Sequence, residues 1–397
     1  MMSLAGEAEL GSARGGLPGR TEAPSPGRRD RWRLRDRLRR AQPTRRHRDC
    51  GVRRIAEHAD LRRSGKTAWW EGLLTCGSVW ACPTCAAARM EARAQEAGTL
   101  VRWAEEHGYA CIMATYTIRH YAHHDLAPLL EGLNRAHSAV ISGAPWRRRA
   151  EAWGVVGRVR AVEVTVGRHG WHPHIHELLV VPVERVDDVM SDGWDWLGDR
   201  WATMVERHLG AEHVPSEAHG VHLLDARADA GGVARYIHDL GLDPREIAGS
   251  TSTSARASSS RSIWQLAQTV PDDPADRRLW HEWVAASRGR RQMMWSRGLR
   301  ALCGAEAAAE QLAERRAELR ATSDVVLELA AGPWARISVH ALHLLERAED
   351  GQTDAELRAL ASRLDAVERS RLDVERSSAA ARWRAETHAE LAAALRA

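Results

Sequence analysis

The chain has 397 residues, of which 44% are hydrophobic and 28% charged. That is enough to bury two or three domain cores and too apolar for disorder throughout. No apolar run approaches the ~20 residues of a membrane-spanning helix. The Gly/Ala/Arg/Pro-rich start also lacks a signal-peptide core, so the sequence reads as a soluble cytoplasmic protein. The formal net charge is only +4, but Arg28 to Arg48 is dense in arginine and poor in acids. Lys66 is the sole lysine and phenylalanine is absent, whereas tryptophan occurs 17 times. Phosphate contacts must therefore rest on arginine, which grips phosphate bidentately, and tryptophan must take core positions.

In chain order, residues 1–27 read as a disordered leader. The basic arm that follows, 28–48, is either a solvated tail or a nucleic-acid arm with Arg31, Arg33, Arg35, Arg45 and Arg46 as contacts; the two together make a first segment, 1–49. Residues 50–95 form a cysteine-rich segment. Cys76-Gly-Ser-Val-Trp-Ala-Cys82-Pro-Thr-Cys85 presents thiolates at the spacing of a zinc knuckle, with Cys50 as the fourth ligand and His58 as its competitor. The alternative is a reduced cluster packed as small apolar residues. Cys111 and Cys303 read as core.

Between 96 and 249 the patterns alternate. A strand is expected over Ala110–Ile118 and a helix over Leu126–Ser142. Two β-rich runs, Val155–Val166 and Trp171–Val183, are joined by the turn Gly167-Arg-His-Gly170. A helix over 194–209, a short strand Val221–Leu224 and a helix Gly232–Leu240 follow. Ser250–Ser262 is low-complexity and reads as a linker. The region 263–397 reads as helical, with segments Trp264–Leu302, Ala305–Ala321 and Val325–Ala397. The fold class is α+β, built around an antiparallel sheet.

The chemistry concentrates in Gly170-Trp-His-Pro-His-Ile-His176, at the start of an apolar strand. Alternate strand residues share a face, so His174 and His176 aim two imidazoles at one point. If Gly167–Gly170 closes the hairpin, Glu163 falls opposite His174 and becomes a third ligand. Two imidazoles and a carboxylate leave open positions on a divalent ion. A one-residue slip would turn Glu163 away, leaving a solvent-facing glutamate and an edge-strand histidine pair. Tyr236, one of four tyrosines, lies downstream on the expected helix Gly232–Leu240. A tyrosine beside a metal-held phosphate is able to attack it.

In these motifs the chain resembles the rolling-circle plasmid replication initiators of actinobacteria, members of the His-hydrophobic-His (HUH) endonuclease superfamily. The resemblance runs in order through Thr75 to Cys85, Ala114-Thr-Tyr-Thr-Ile-Arg-His120, Glu163-x-Thr165 with Gly170 to His176, Tyr236, Trp264-Gln-Leu266 and Gly289 to Leu299. It implies an HUH nickase domain over 96–249, after an N-terminal zinc-binding segment and before a helical C-terminal region. It also implies a nucleotidyltransferase that nicks one strand of origin DNA, single-stranded at the nick. Mg²⁺ or Mn²⁺ would be held by His174, His176 and Glu163, with Tyr236 as nucleophile forming a covalent 5′-phosphotyrosine and a later step rejoining the strand. Zn²⁺ would be the structural metal of the cysteines, and host helicase and polymerase, with a further copy of the chain as an option, are the partners expected. Asp239 departs from the family, which has lysine one helical turn after the tyrosine. The alternatives are a conjugative relaxase or transposase with the same site, or a degenerate origin-binding regulator that does not nick.

Overall fold

The structure, a computed structural model, describes residues 27–225 and 260–394. It divides into two compact units, one of Pro26–Glu57 with Gly72–Thr322, the other containing His58–Glu71 and the chain from Ser323 onward. These bounds differ from those drawn on the sequence, because a hairpin inside the cysteine-rich segment groups with the C-terminal region.

The larger unit opens with α1 (Arg28–Leu38) and the short α2 (Arg45–Arg48). The stretch 28–48, read from the sequence as a basic arm, is thus largely helical. Leu34 and Leu38 are fully buried in the main core, and their four-residue spacing places them on one helical face. Strands β1 (Ala59–Ser64) and β2 (Thr67–Glu71) belong to the smaller unit. The larger unit resumes with α3 (Pro83–Glu106), β3 (Tyr109–Thr117), α4 (Leu126–Val140), α5 (Gly143–Ala152), β4 (Gly157–Gly167) and β5 (Gly170–Pro182). Then come α6 (Val186–Leu209), α7 (Glu217–Gly220), β6 (Val221–Asp225), β7 (Ser260–Ser262) and β8 (Met293–Trp295).

The sheet is antiparallel throughout, in the order β6-β3-β5-β4, with β7 and β8 sharing the outer edge of β4. Because the side-chain period is two, the central strands sort their residues cleanly. On one face Ile175, Leu179 and Val181 of β5 join Ile112, Ala114 and Tyr116 of β3 beneath α4 and α6. On the other, Leu178 and Val180 meet Leu100 and Val101 of α3, with Leu299 and Ala305 beyond them. His174 and His176 lie on this second face. Tryptophan does take core positions: Trp153, Trp201 and Trp280 are among the largest fully buried side chains. The Trp201 indole N–H is satisfied by the Thr117 carbonyl at 2.6 Å.

Glu177 is fully buried on the α4 side. It accepts from Arg158 at 2.7 Å and from His137 Nε2 at 3.1 Å. Burial alone would raise its pKa, but His137 and Arg158 overcome this and pull it down to about 2. Burial lowers the pKa of His137, so His137 acts as a neutral donor and Arg158 supplies the countercharge. A carboxylate with a depressed folded pKa contributes stability above its unfolded pKa and loses it as pH falls through the folded value. Acid unfolding should therefore steepen below about pH 4.3, the ordinary glutamate value. Glu177→Ala, which leaves half-buried Arg158 and buried His137 without their acceptor, should cost about 1–3 kcal/mol in urea melts at neutral pH. A loss below 1 kcal/mol would contradict this reading.

Two expected helices are corrected. Trp264–Leu302 is helix Ile263–Thr269, helix Pro274–Ser287, strand β8 and helix Leu299–Leu302. Pro271 and Pro274 interrupt helical hydrogen bonding, and Gly289 adopts φ +76 just before β8 joins the sheet. Val325–Ala397 begins not with a helix but with strand β9 (Asp324–Leu329). The expected helices Leu126–Ser142 and 194–209 correspond to α4 and α6, the latter starting at Val186. The expected helix Gly232–Leu240 and the Ser-rich stretch up to 259 lie outside the described residues.

In the smaller unit β1 and β2 pair around a Gly65-Lys66 turn, and β9 pairs with β1. Trp70 packs against Trp334 with ring centroids 4.9 Å apart and the planes tilted by 57°, and it donates its indole N–H to the Ala341 carbonyl. The long helix Asp354–Ala394 follows. No described helix is long and apolar enough to cross a membrane.

Candidate functional site

The β4–β5 hairpin closes through Gly167 paired with Gly170, and its register places Val166 opposite Trp171 and Glu163 opposite His174. Gly170 is required at its position: its φ is +83, and a Cβ there would sit 2.9 Å from the Ala122 backbone. With that register, His174 Nε2 and His176 Nε2 both lie 3.1 Å from the same oxygen, Oε2 of Glu163. Three potential ligand atoms thus converge on one point.

The neighbouring strand orients the ligands. Thr115 on β3 pairs with His176, and a 3.0 Å hydrogen bond joins its hydroxyl to His176 Nδ1. His174 Nδ1 points at the His172 carbonyl, 3.4 Å away. Both rings are thereby held with Nε2 toward Glu163, the arrangement in which an outer partner fixes a metal-binding imidazole. Burial disfavours the Glu163 carboxylate, but His174 and His176 outweigh it and keep the carboxyl well below its ordinary pKa. The donor set thus fits a divalent cation: two oriented imidazoles and one ionised carboxylate, with room for further ligands.

Sequence reasoning missed His172 and His120. They stack face to face at 4.9 Å, and His172 lies one strand step from His174. Burial lowers the pKa of His172 to about 3, so it is neutral. Both rings wall a cavity of about 450 Å³ together with Thr115, Thr117 and His222. The period of two carried the signal for His172, since it continues the face of His174 and His176. Tyr236 and Asp239 lie outside the described residues.

A second cluster assembles where α3 begins. Cys50 Sγ lies 3.6 Å from Cys82 and 3.7 Å from Cys85, and Cys76 lies 3.7 Å from Cys85. A tetrahedral zinc with Zn–S bonds of about 2.3 Å needs sulfurs about 3.8 Å apart, so the four thiols have the spacing such an ion demands. Cys82 caps α3 and Cys85 sits in its first turn, where the helix dipole favours negative charge. Gly77, at φ +70, makes the turn after Cys76. Cys50 takes the fourth place. His58 lies instead in the smaller unit, 3.7 Å from Glu328. Cys111 and Cys303 are core residues.

The five arginines read as DNA contacts separate. Arg31 is buried, 3.6 Å from Glu91. Arg35 is buried as well, lying 4.0 Å over the Trp32 ring and bound to Asp36. Helical periodicity explains the correction, because these two share the inward face of α1 with Leu34 and Leu38. Arg33 and Arg45 are exposed, paired with Asp30 and Asp49. Arg46 donates to the Cys76 carbonyl at 3.1 Å, bracing the cysteine turn.

Residues 74–217, which include the Glu163, His174 and His176 group, match the family described as "Replication protein". Among curated relatives, "Protein rep" of Streptomyces lividans is 30% identical over 294 residues, covering 59% of this chain and 64% of that protein. "Neomycin resistance protein" of Streptomyces cyanogenus is 36% identical over 138 residues, covering 28% of this chain and 31% of that protein. The chain thus spans less than two thirds of either relative. No solved structure matches it.

Proposed function

We propose that this protein initiates rolling-circle plasmid replication as a metal-dependent, strand-specific DNA nickase of the HUH type, with Tyr236 as nucleophile. The observation that carries the reading is the convergence of Glu163, His174 and His176 beside an aromatic-walled cavity, inside a domain matching replication proteins. These three residues would hold a divalent ion, which when bound neutralises charge on the scissile phosphate. Mn²⁺ suits the two imidazoles better than Mg²⁺, which prefers oxygen ligands.

The remaining steps belong to the chain itself. Single-stranded DNA enters along the open part of the sheet face, where His120 and His172 offer flat rings of the kind on which bases stack. The Thr115 hydroxyl and the His172 carbonyl hold the ligand rings in place. The Tyr236 phenolic oxygen bonds to phosphorus as the bond to the 3′ oxygen breaks. The 5′ end stays on the tyrosine, and the phenolic proton is balanced by the one gained at the new 3′-OH. That 3′-OH primes host polymerase, and attack by a strand 3′-OH on the phosphotyrosine rejoins DNA. Zn²⁺ at Cys50, Cys76, Cys82 and Cys85 would fix the base of α3, which packs on the same sheet face as the site.

Incubation of the single-stranded circular form of the parent plasmid with protein and Mn²⁺ tests the proposal. Wild type should give linear DNA with protein on its 5′ end. Tyr236→Phe should give none while binding the same DNA, because only the phenolic oxygen is lost. Cleavage surviving in Tyr236→Phe would remove Tyr236 from the mechanism. Binding without cleavage by wild type would favour the origin-binding regulator, for which Asp239 in place of a lysine is the motivating feature.

A further inference from the structure

A third group of metal-type ligands lies apart from the two described above. His124, Glu212 and His213 bring one ligand atom each to within 4.8 Å of one another. The imidazoles of His124 and His213 have ring centroids 4.6 Å apart, and His213 Nε2 lies 3.7 Å from Glu212 Oε1. His213 is buried, and its ring is oriented as that of a metal ligand would be. Its Nδ1–H donates to the Arg119 carbonyl at 2.9 Å, so Nε2 keeps a free lone pair facing Glu212. Arg119 returns the contact, its N–H donating to the His213 carbonyl at 2.9 Å. Glu212 is 65% exposed, so its carboxylate is free to swing inward and water reaches the remaining positions.

His124 needs one adjustment. Its Nδ1 accepts from the Tyr121 N–H at 3.2 Å. A metal on Nε2 puts the proton on Nδ1 and gives up that bond, one of the longer ones in the loop. Tyr121 is exposed, so water replaces the lost partner.

We propose that His124, Glu212 and His213 form a second transition-metal site of the two-histidine, one-carboxylate type, taking Zn²⁺ or a similar imidazole-preferring ion. The site staples the loop after β3 to the turn Ala211–His213. This loop carries His120, which stacks on His172 and bonds the His169 carbonyl at 3.0 Å. Its Tyr121–Ala122 backbone also lies where a Cβ on Gly170 would clash. A metal here therefore stiffens the loop that backs the catalytic hairpin, without touching its ligands.

The test uses the full chain carrying His174→Ala and His176→Ala, with the cysteines intact, titrated with Zn²⁺ by calorimetry. One equivalent should bind beyond that held by the cysteines. Adding His124→Ala should abolish it, and Glu212→Gln should weaken it by at least about tenfold. Both residues lie at the surface, so the fold should survive these changes, as circular dichroism would show. Zn²⁺ should also slow amide exchange across residues 118–125 in the parent and not in the His124→Ala protein. No uptake beyond the cysteine equivalent, or uptake unchanged by His124→Ala, would overturn the proposal.

Discussion

Replacing His174 and His176 together by alanine should lower strand cleavage by about 10³-fold or more, the effect of several kcal/mol of lost transition-state stabilisation. Binding of single-stranded DNA should change little. The sheet should persist, because Ile175, Leu178 and Leu179 supply the packing of β5 and all three are fully buried. The measurements are cleavage of single-stranded circular DNA, Mn²⁺ affinity by calorimetry, and circular dichroism. Glu163 loses both of its hydrogen-bond partners in the double variant, so a modest drop in melting temperature is expected. Wild-type cleavage with Mn²⁺ affinity lost would detach the histidine pair from catalysis.

Replacing Cys82 and Cys85 by serine should have the largest effect on stability. Zinc content by elemental analysis should fall from about one per chain to none. Because the free energy of binding a structural zinc is also folding free energy, the loss should reach several kcal/mol and leave the larger unit unfolded or molten at 37 °C. Two segments far apart in sequence depend on the cluster, one at Cys50 and one from Cys76 to Cys85. Helix α3, which starts there, runs on to place Leu100 and Val101 under β5. An unchanged melting temperature in the double variant, or native protein free of zinc, would refute the zinc assignment and leave a reduced thiol cluster packed as core.

The site was more legible in the sequence than the frame around it. One turn with glycine at both ends fixes the hairpin register, and a period of two then dictates which residues face each other, so Glu163, His174 and His176 could be aligned from spacing alone. The four cysteines were legible because thiolates cluster for few reasons. What escaped was decided by long-range packing. Arg31 and Arg35 look like phosphate contacts in one dimension but share the inward face of α1 with Leu34 and Leu38. The hairpin Ala59–Glu71 carries only a Gly-Lys turn as its local signal, and its partner β9 lies more than 250 residues away in the sequence. Within Asp324–Leu329 the pairing of two valines and two leucines with β1 outweighs the helical character of the flanking sequence. His120 and His172 meet only through tertiary structure, although the face of His172 was predictable from its strand.

The central claim is that Tyr236 and the Glu163–His174–His176 triad act together on one phosphate. Mass spectrometry of protein trapped on a labelled suicide oligonucleotide bearing the nick site, with and without Mn²⁺, tests it most directly. The account predicts one adduct, a 5′-phosphate ester on Tyr236, formed with Mn²⁺ and absent both with chelator and in the His174→Ala/His176→Ala protein. An adduct on Tyr109, Tyr116 or Tyr121, an adduct that forms without metal, or cleaved DNA with no adduct would contradict it.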